Sequence, residues 1–536
     1  MKSIHKSAWL LSIASGLLQV LVFPRPNLFW LCWIALAPLM YALLRAREAD
    51  AAELLTDESY SFLVPARPWQ GFLLGWLNGT IFYFGSCYWV YSVMHLYGGL
   101  SPAVSFLLLI LFSLYIGLHH GLFGMLVAVA GGSRAGFSRK ALVLAPFLWV
   151  AVEMLRAYIV SFPWLLLGTA QIDNLPLARL ASVTGVYGIS FEIALVNTAF
   201  AATMLVHKRR RRPMLIAALT GTIALQATVL VKVDPVEPEA HATLVQQNVP
   251  IVREWNYESY KRLVDELMAI SNRPQPSRDS IAPLIVWPES PAPFETDDRL
   301  FTQSTAMLAR DRNSWLLAGA TAIAPPAKPG EADQIFNSAL LLNASGALAQ
   351  RYDKVHLVPW GEYVPFAWAF GFAKSLTHEV GGYTSSGGER TPLEVGAHRY
   401  GVFICYESVF PHEVRQFAAH GAEVFVNISN DGWFGESGAP WQHLNMARMR
   451  AVENHRWLLR DTNSGVTAAI DPLGRVVAVA PRNRRLALDA PYGLSGEITF
   501  YTRYGDWFPI LCAIISVTGL LWREHNGAHI TRPVPV

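Results

Sequence analysis

Cysteine and charge are both scarce in this chain. Four cysteines occur in 536 residues, at Cys32, Cys87, Cys405 and Cys512. All but Cys405 fall inside long apolar segments, so a disulfide framework is not what organises the fold. Asp, Glu, Lys and Arg together make up 15% of the residues and the formal net charge is +3, too little to hold a nucleic acid backbone. A Gly-rich phosphate loop, a paired CxxC zinc pattern, internal repeats and low-complexity tracts are all missing. What is plentiful is apolar residues, at 52% of the chain, more than an ordinary soluble protein carries.

These residues come in runs. Ala8 to Phe23, Leu28 to Leu44, Phe72 to Met94, Ala103 to Ala130, Leu142 to Ile159, Gly185 to Val206 and Met214 to Val231 fill the first half, and Phe508 to Trp522 stands alone near the end. Most approach the roughly 20 residues that cross a hydrocarbon core, which predicts an α-helical membrane bundle of eight spans. Lys2 and Lys6 before the first run resemble the start of a secretory signal, but no small-residue cleavage site follows, so the segment is read as an anchor that stays. Basic residues cluster at every second connection: Lys2 and Lys6, then Arg45 and Arg47, then Arg134, Arg139 and Lys140, then Lys208 to Arg212. Basic loops stay in the cytoplasm, so the N-terminus is expected inside and everything between the seventh and eighth spans outside, with Arg523 returning to the cytoplasm.

Three units follow from this: residues 1–233 as the seven-span domain, 234–503 as an extracytoplasmic domain, and 504–536 as the last span and tail. In the middle unit, after the polar linker Asp234 to Ala240, short apolar runs alternate with helical patterns. Strands are expected at Ala242–Val249, Pro283–Trp287, Trp315–Ala320, Ser338–Asn343, Tyr400–Ile404, Glu423–Ile428, Gly465–Ile470 and Arg475–Val479. Helices are expected at Tyr257–Ile270, Arg299–Arg312, Ser408–Ala419 and Trp441–Trp457. The alternation argues a layered α/β domain. The polar stretch Arg47 to Pro68 is unusually long for a connection between spans.

Three apolar runs of this domain end on reactive groups: Ile285-Val-Trp-Pro-Glu289, Arg351-Tyr-Asp-Lys-Val-His-Leu-Val-Pro-Trp-Gly-Glu362 and Phe403-Ile-Cys-Tyr-Glu407. A carboxylate at a strand end suits a general base, a lysine suits an oxyanion, and a cysteine suits a nucleophile. Singly, each has a plainer explanation. Glu289 fits a helix cap, Lys354 a surface lysine, and Cys405 a small buried apolar residue. As a nucleophile, Cys405 is expected near a helix N-terminus, where thiolate is favoured. Glu153 and Arg156, at i and i+3 within a span, are expected to pair with each other. Asp431, Gln442 and His443 lack the three-ligand spacing of a metal site.

Taken together and in this order, the three stretches resemble the Glu-Lys-Cys triad of the nitrilase superfamily of carbon-nitrogen hydrolases. With seven spans before that domain and one after it, nearly the whole chain resembles the apolipoprotein N-acyltransferase family. Glu153-Met-Leu-Arg156, Phe162-Pro-Trp-Leu-Leu-Leu-Gly168, Gly185-Val-Tyr-Gly-Ile-Ser-Phe191, Gln247-Asn-Val-Pro250, Asn430-Asp-Gly-Trp-Phe434, Gln442-His443 and Asn463-Ser-Gly465 look like the family's motifs. The resemblance implies a nitrilase-like αββα sandwich facing the periplasm of the bacterial inner membrane. It implies Glu289 as general base, Lys354 as oxyanion stabiliser and Cys405 as nucleophile. Glu362 becomes a second carboxylate, Tyr406 a backbone oxyanion donor, Glu407 a supporting group, and Trp255 a residue near the lipid entrance. It further implies a phospholipid acyl donor, a Cys405 thioester, an acceptor amine on a diacylated apolipoprotein, and neither metal nor cofactor. The aromatic stretch Pro359 to Phe372 is read either as an apolar lid over the site or as a packed loop. Two competitors stand beside this reading: a membrane-tethered amidase that hydrolyses a small amide, and a transporter whose outer domain only binds substrate.

Overall fold

Glycine sets how closely the first helices approach. In this computed structural model, which describes residues 3–49, 63–133, 136–137, 140–205, 208–226, 236–251, 254–272, 281–290, 292–326, 333–359, 361–363 and 386–522, the N-terminal half is helical. Its longer helices are α1 (Lys6–Val22), α2 (Ala37–Leu44), α3 (Pro68–Ser86), α4 (Pro102–Gly131), α5 (Lys140–Ile159), α6 (Val186–Leu205) and α7 (Lys208–Leu225). Helices α3 and α4 touch backbone to backbone. A Cβ added at Gly71 would stand 2.4 Å from the Gly124 carbonyl oxygen, and one at Gly75 2.1 Å from that of His120. Small residues permit this approach, and buried polar side chains add bonds between helices. Gln19 Nε2 donates to Asn78 Oδ1 at 2.9 Å and Asn78 Nδ2 to the Ser12 carbonyl at 3.1 Å.

Among the described residues, α4, α5 and α6 are long and apolar enough to cross a membrane, while α1, Phe29–Leu44 and Trp507–Leu521 are shorter apolar segments. The end of the expected seventh span, most of the Arg47 to Pro68 stretch and Arg523 lie outside the described residues. Arg47–Glu48 and Leu63–Val64, which flank the long connection, pair as short antiparallel strands.

Glu153 and Arg156 do not form the expected ion pair. Glu153 Oε1 accepts from the Leu167 N–H at 2.7 Å, and Arg156 Nη1 donates to the Phe162 and Trp164 carbonyls at 2.8 and 2.7 Å. The loop after α5 carries main-chain groups that a buried chain must satisfy, and these two side chains satisfy them.

Among the described residues, the second half holds twelve strands in two six-stranded sheets. They are β1 (Ala240–Gln246), β2 (Leu284–Trp287), β3 (Trp315–Ala324), β4 (Gln334–Leu342), β5 (Leu348–Asp353), β6 (Leu393–Val395), β7 (His398–Ile404), β8 (Val424–Ser429), β9 (Leu458–Thr462), β10 (Ala468–Ile470), β11 (Val476–Val479) and β12 (Leu486–Tyr492). One sheet runs β12-β1-β2-β3-β4-β5 and the other β6-β7-β8-β9-β10-β11. Each has a parallel centre (β1-β2-β3 and β7-β8-β9) with antiparallel strands outside it. Alternation along β2 explains the layering. Leu284 and Val286 enter the core that includes Val402, Val426 and Leu459 of the second sheet, whereas Ile285 and Trp287 pack against helices α8 (Tyr257–Ser271) and α9 (Arg299–Arg312). Helices α10 (Pro411–Ala419) and α11 (Ala439–Asn454) belong to the second sheet's side. The layers are α-β-β-α, as expected.

Helix α11 also joins the halves. Its Leu444, Ala447 and Ala451 belong to the sheet core, and its Met446, Met449 and Val452 to the core of the helical half. The last helix, α12 (Trp507–Leu521), packs beside α5.

Candidate active site

Glu289, Lys354 and Cys405 each follow the C-terminal end of a strand, β2, β5 and β7 respectively. The structure gathers them in one buried cluster. Lys354 Nζ lies 3.3 Å from Glu289 Oε1 and 2.9 Å from Glu362 Oε1, with the lysine side chain 1% exposed. Burial alone would pull the ammonium down, but Glu289 and Glu362 outweigh it and hold Lys354 well above its ordinary range. The lysine therefore stays cationic. Each carboxylate is anchored by its other oxygen: Glu289 Oε2 accepts from the Asn430 N–H at 2.8 Å, and Glu362 Oε2 from the Val358 N–H at 2.7 Å. Asn337, which the sequence reading passed over, donates from Nδ2 to Glu289 Oε1 at 2.7 Å and to Glu362 Oε1 at 2.8 Å. Its only signal in the sequence is an amide inside the apolar strand Gln334–Leu342.

Glycine at position 319 makes room for the base. A Cβ there would stand 2.2 Å from the Pro288 carbonyl oxygen and 2.8 Å from the Glu289 Cα, so β3 passes directly beneath the turn that carries Glu289.

Cys405 opens a short 3-10 turn, Cys405–Val409, with its backbone in the left-handed region at φ 49°. A non-glycine residue pays for that conformation, and such strain collects at functional sites. The helix expected from Ser408 begins instead at Pro411, because Phe410 is extended before it. Cys405 thus does not sit on the first turn of an α-helix. Burial pushes its thiol above the ordinary range; Glu289 adds to the effect and Lys354 opposes it without reversing it. This corrects the expectation of a preformed thiolate: the resting thiol keeps its proton, beside a carboxylate able to take it.

Glu407 ties the Lys354 and Cys405 segments together. Its Oε1 accepts from Tyr352 Oη (2.9 Å) and the Val355 and His356 N–H groups (2.7 and 3.1 Å), and its Oε2 from the Ile404 N–H at 2.7 Å. Tyr406 turns the other way, donating from its hydroxyl to the Ser161 carbonyl at 2.8 Å. Tyr406, Val409 and Phe410 belong to the core of the helical half. The ring of Trp255 meets Tyr260 edge-on, 6.1 Å between centroids, on the α8 side of the first sheet. Of the aromatic stretch Pro359 to Phe372, Trp360 and residues 364–372 lie outside the described residues.

Comparison with known proteins places both halves. Residues 241–490 match the carbon-nitrogen hydrolase family, and residues 15–199 match the apolipoprotein N-acyltransferase N-terminal domain. An apolipoprotein N-acyltransferase of Geobacter metallireducens is 35% identical over 541 residues, covering 98% of each chain. One of Methylococcus capsulatus is 32% identical, covering 92% of this chain and 95% of the relative. A third, of Chlorobaculum tepidum, is 28% identical and covers 95% of each.

Proposed function

The chain belongs to the apolipoprotein N-acyltransferase family, and on that premise we propose that Cys405 takes an acyl chain from a phospholipid and passes it to the N-terminal amine of a diacylglyceryl-cysteine. As an enzyme it is an acyltransferase of lipoprotein biosynthesis. The observation that carries the proposed chemistry is where the nucleophile turn lies. Cys405 lies within electrostatic reach of Glu289 and Lys354, while the next residues, Tyr406, Val409 and Phe410, are built into the core of the apolar helical half. A soluble amidase has no use for that junction; an enzyme that draws its acyl group from a lipid does.

In the first half-reaction the Cys405 sulfur attacks the ester carbonyl carbon as its proton passes to Glu289. Because the thiol proton moves to an adjacent carboxylate, no free thiolate has to exist beforehand. Lys354 and the Tyr406 N–H face the tetrahedral oxyanion. The C–O bond then breaks, the lysophospholipid oxygen takes the proton from Glu289, and a thioester remains on Cys405. In the second half-reaction the neutral amine attacks the thioester carbonyl, Glu289 takes the amine's proton, and the departing sulfur recovers it. Glu362 and Asn337 hold Lys354 and Glu289 in place throughout.

The same reading assigns eight membrane crossings, with residues 1–233 and 504–536 in the bilayer and its cytoplasmic face and residues 234–503 as the catalytic domain in the periplasm. Its support is the alternation of basic connections and the apolar helices.

The test is mass spectrometry of the purified enzyme with phospholipid alone and then with a diacylated lipopeptide. Cys405 should gain one acyl chain and lose it to the lipopeptide amine, and Cys405→Ser should do neither. Turnover of a small amide with no acyl-enzyme would overturn the reading in favour of an amidase.

A further inference from the structure

Behind the nucleophile turn lies a second polar cluster, joined to the Cys405 thiol through Ser429. His443 is fully buried at its centre. Its Nε2 lies 3.1 Å from the Cys405 carbonyl oxygen and 2.8 Å from Ser408 Oγ. Its Nδ1 lies 2.9 Å from Asp431 Oδ1 and 3.0 Å from Arg460 Nη2. Arg460 Nη2 also donates to Asp431 Oδ2 at 2.8 Å, and Ser429 Oγ to Asp431 Oδ1 at 2.7 Å. Ser408, His443 and Asp431 have the contacts of a serine-histidine-aspartate triad, yet Ser408 is 0% exposed and meets no substrate.

The cluster acts through a peptide plane. Arg460 Nη2 has only hydrogens to offer and lies 3.0 Å from Nδ1, so Nδ1 accepts from it and the ring hydrogen sits on Nε2, facing the Cys405 carbonyl oxygen at 3.1 Å. The Cys405 carbonyl and the Tyr406 N–H belong to one planar trans peptide and point in opposite directions. Holding the oxygen therefore aims the hydrogen, and a bond accepted at the carbonyl strengthens the N–H as a donor. The turn needs such a hold, because Cys405 itself sits at φ 49°. The hold is continuous with the helical half. Trp164 packs its ring 5.6 Å from that of His443 and donates from Nε1 to Gln442 Oε1 at 2.8 Å, while Gln442 Nε2 donates to the carbonyls of Pro24 (2.8 Å) and Ser86 (3.0 Å).

We infer that His443 is a positioning residue for thioester formation: donating from Nε2 to the Cys405 carbonyl, it fixes the 405–406 peptide and directs the Tyr406 N–H at the oxyanion. This rests on the Glu-Lys-Cys reading given above.

Two substitutions separate the ring's two sides. In His443→Gln the amide nitrogen occupies the Nε2 position and keeps the donor to Cys405; in His443→Asn the amide reaches only the Nδ1 position and keeps only the Asp431 and Arg460 side. Rates of thioester formation on Cys405 from phospholipid, with thermal unfolding in detergent measured alongside, decide the matter. The expected result is a Gln variant within about threefold of the parent and an Asn variant slowed about tenfold to a hundredfold in the maximal rate, at unchanged half-saturating phospholipid, a loss in the range of a misdirected oxyanion donor. An Asn variant as fast as the parent would overturn the inference, as would equal slowing of both variants in step with lost thermal stability. A thioester still forming in Cys405→Ser would instead bring down the underlying reading.

Discussion

At the scale of single residues, the notable feature is that the nucleophile is held back. A sequence argument from a strand-end cysteine leads to a low-pKa thiol, but burial and Glu289 move Cys405 the other way. The carboxylate has two effects of opposite consequence: it holds the proton on the resting thiol and accepts it during attack. Glu289→Gln separates them. Removing the negative charge lowers the thiol toward its ordinary range, so alkylation of Cys405 by iodoacetamide at neutral pH is expected to be faster than in the parent. Acyl-enzyme formation is expected to fall by about 10²- to 10⁴-fold, the usual share of a general base. Peptide mapping of the alkylated cysteine and the acylation rate, read on the same preparation, check the pair. A parallel fall in both would mean that Glu289 acts chiefly by shaping the pocket.

At the scale of elements, what was legible follows from burial. The parallel strands β2, β3, β7 and β8 are buried and apolar, and the sequence marks all four within a few residues. Strand β5, Leu-Ala-Gln-Arg-Tyr-Asp, has one buried residue in six, so no apolar run announces it, although it delivers Lys354. Strand β9 fails for the opposite reason: it is wholly buried yet carries Arg460 and Asp461, and charges inside a strand read as a loop until Asp431 supplies a partner for Arg460. The site divides in the same way. Glu289, Cys405 and Glu407 follow recognisable apolar runs, whereas Lys354 follows a polar strand, Asn337 lies inside an apolar one, and the link between His443 and Cys405 spans 38 positions. The α3 and α4 contact is an element-scale feature that the hydropathy of these spans does not reveal. Gly124→Val would place a branched side chain where even a Cβ meets the Gly71 carbonyl oxygen at 2.2 Å. Both helices are then forced apart, at a cost of about 1–3 kcal/mol or more for overpacking, and thermal unfolding in detergent should fall clearly below the parent, whereas Gly221→Val, with nothing within 4 Å, should leave it nearly unchanged.

At the scale of the whole molecule, the proposed topology is tested by which side of the bilayer the chemistry faces. Basic residues alternate between connections with the N-terminus on the basic side, and the proposed topology therefore puts the α/β domain outside after an odd number of crossings. The domain's nucleophile turn, in turn, is fused to the helical half through Tyr406 and α11, so the site must lie at whichever surface the domain occupies. An acceptor amine at the end of a lipid-anchored protein reaches such a site without leaving the membrane surface. Single cysteines placed at Leu348, which is 59% exposed on β5, and at Arg210, in the basic start of α7, test the orientation in intact spheroplasts with a membrane-impermeant maleimide. Leu348→Cys should label from outside, while Arg210→Cys should label only after the membrane is opened. Labelling of Arg210→Cys from outside, with Leu348→Cys protected, would invert the topology and put the Cys405 site in the cytoplasm, where an exported lipoprotein would have to be acylated before it crossed.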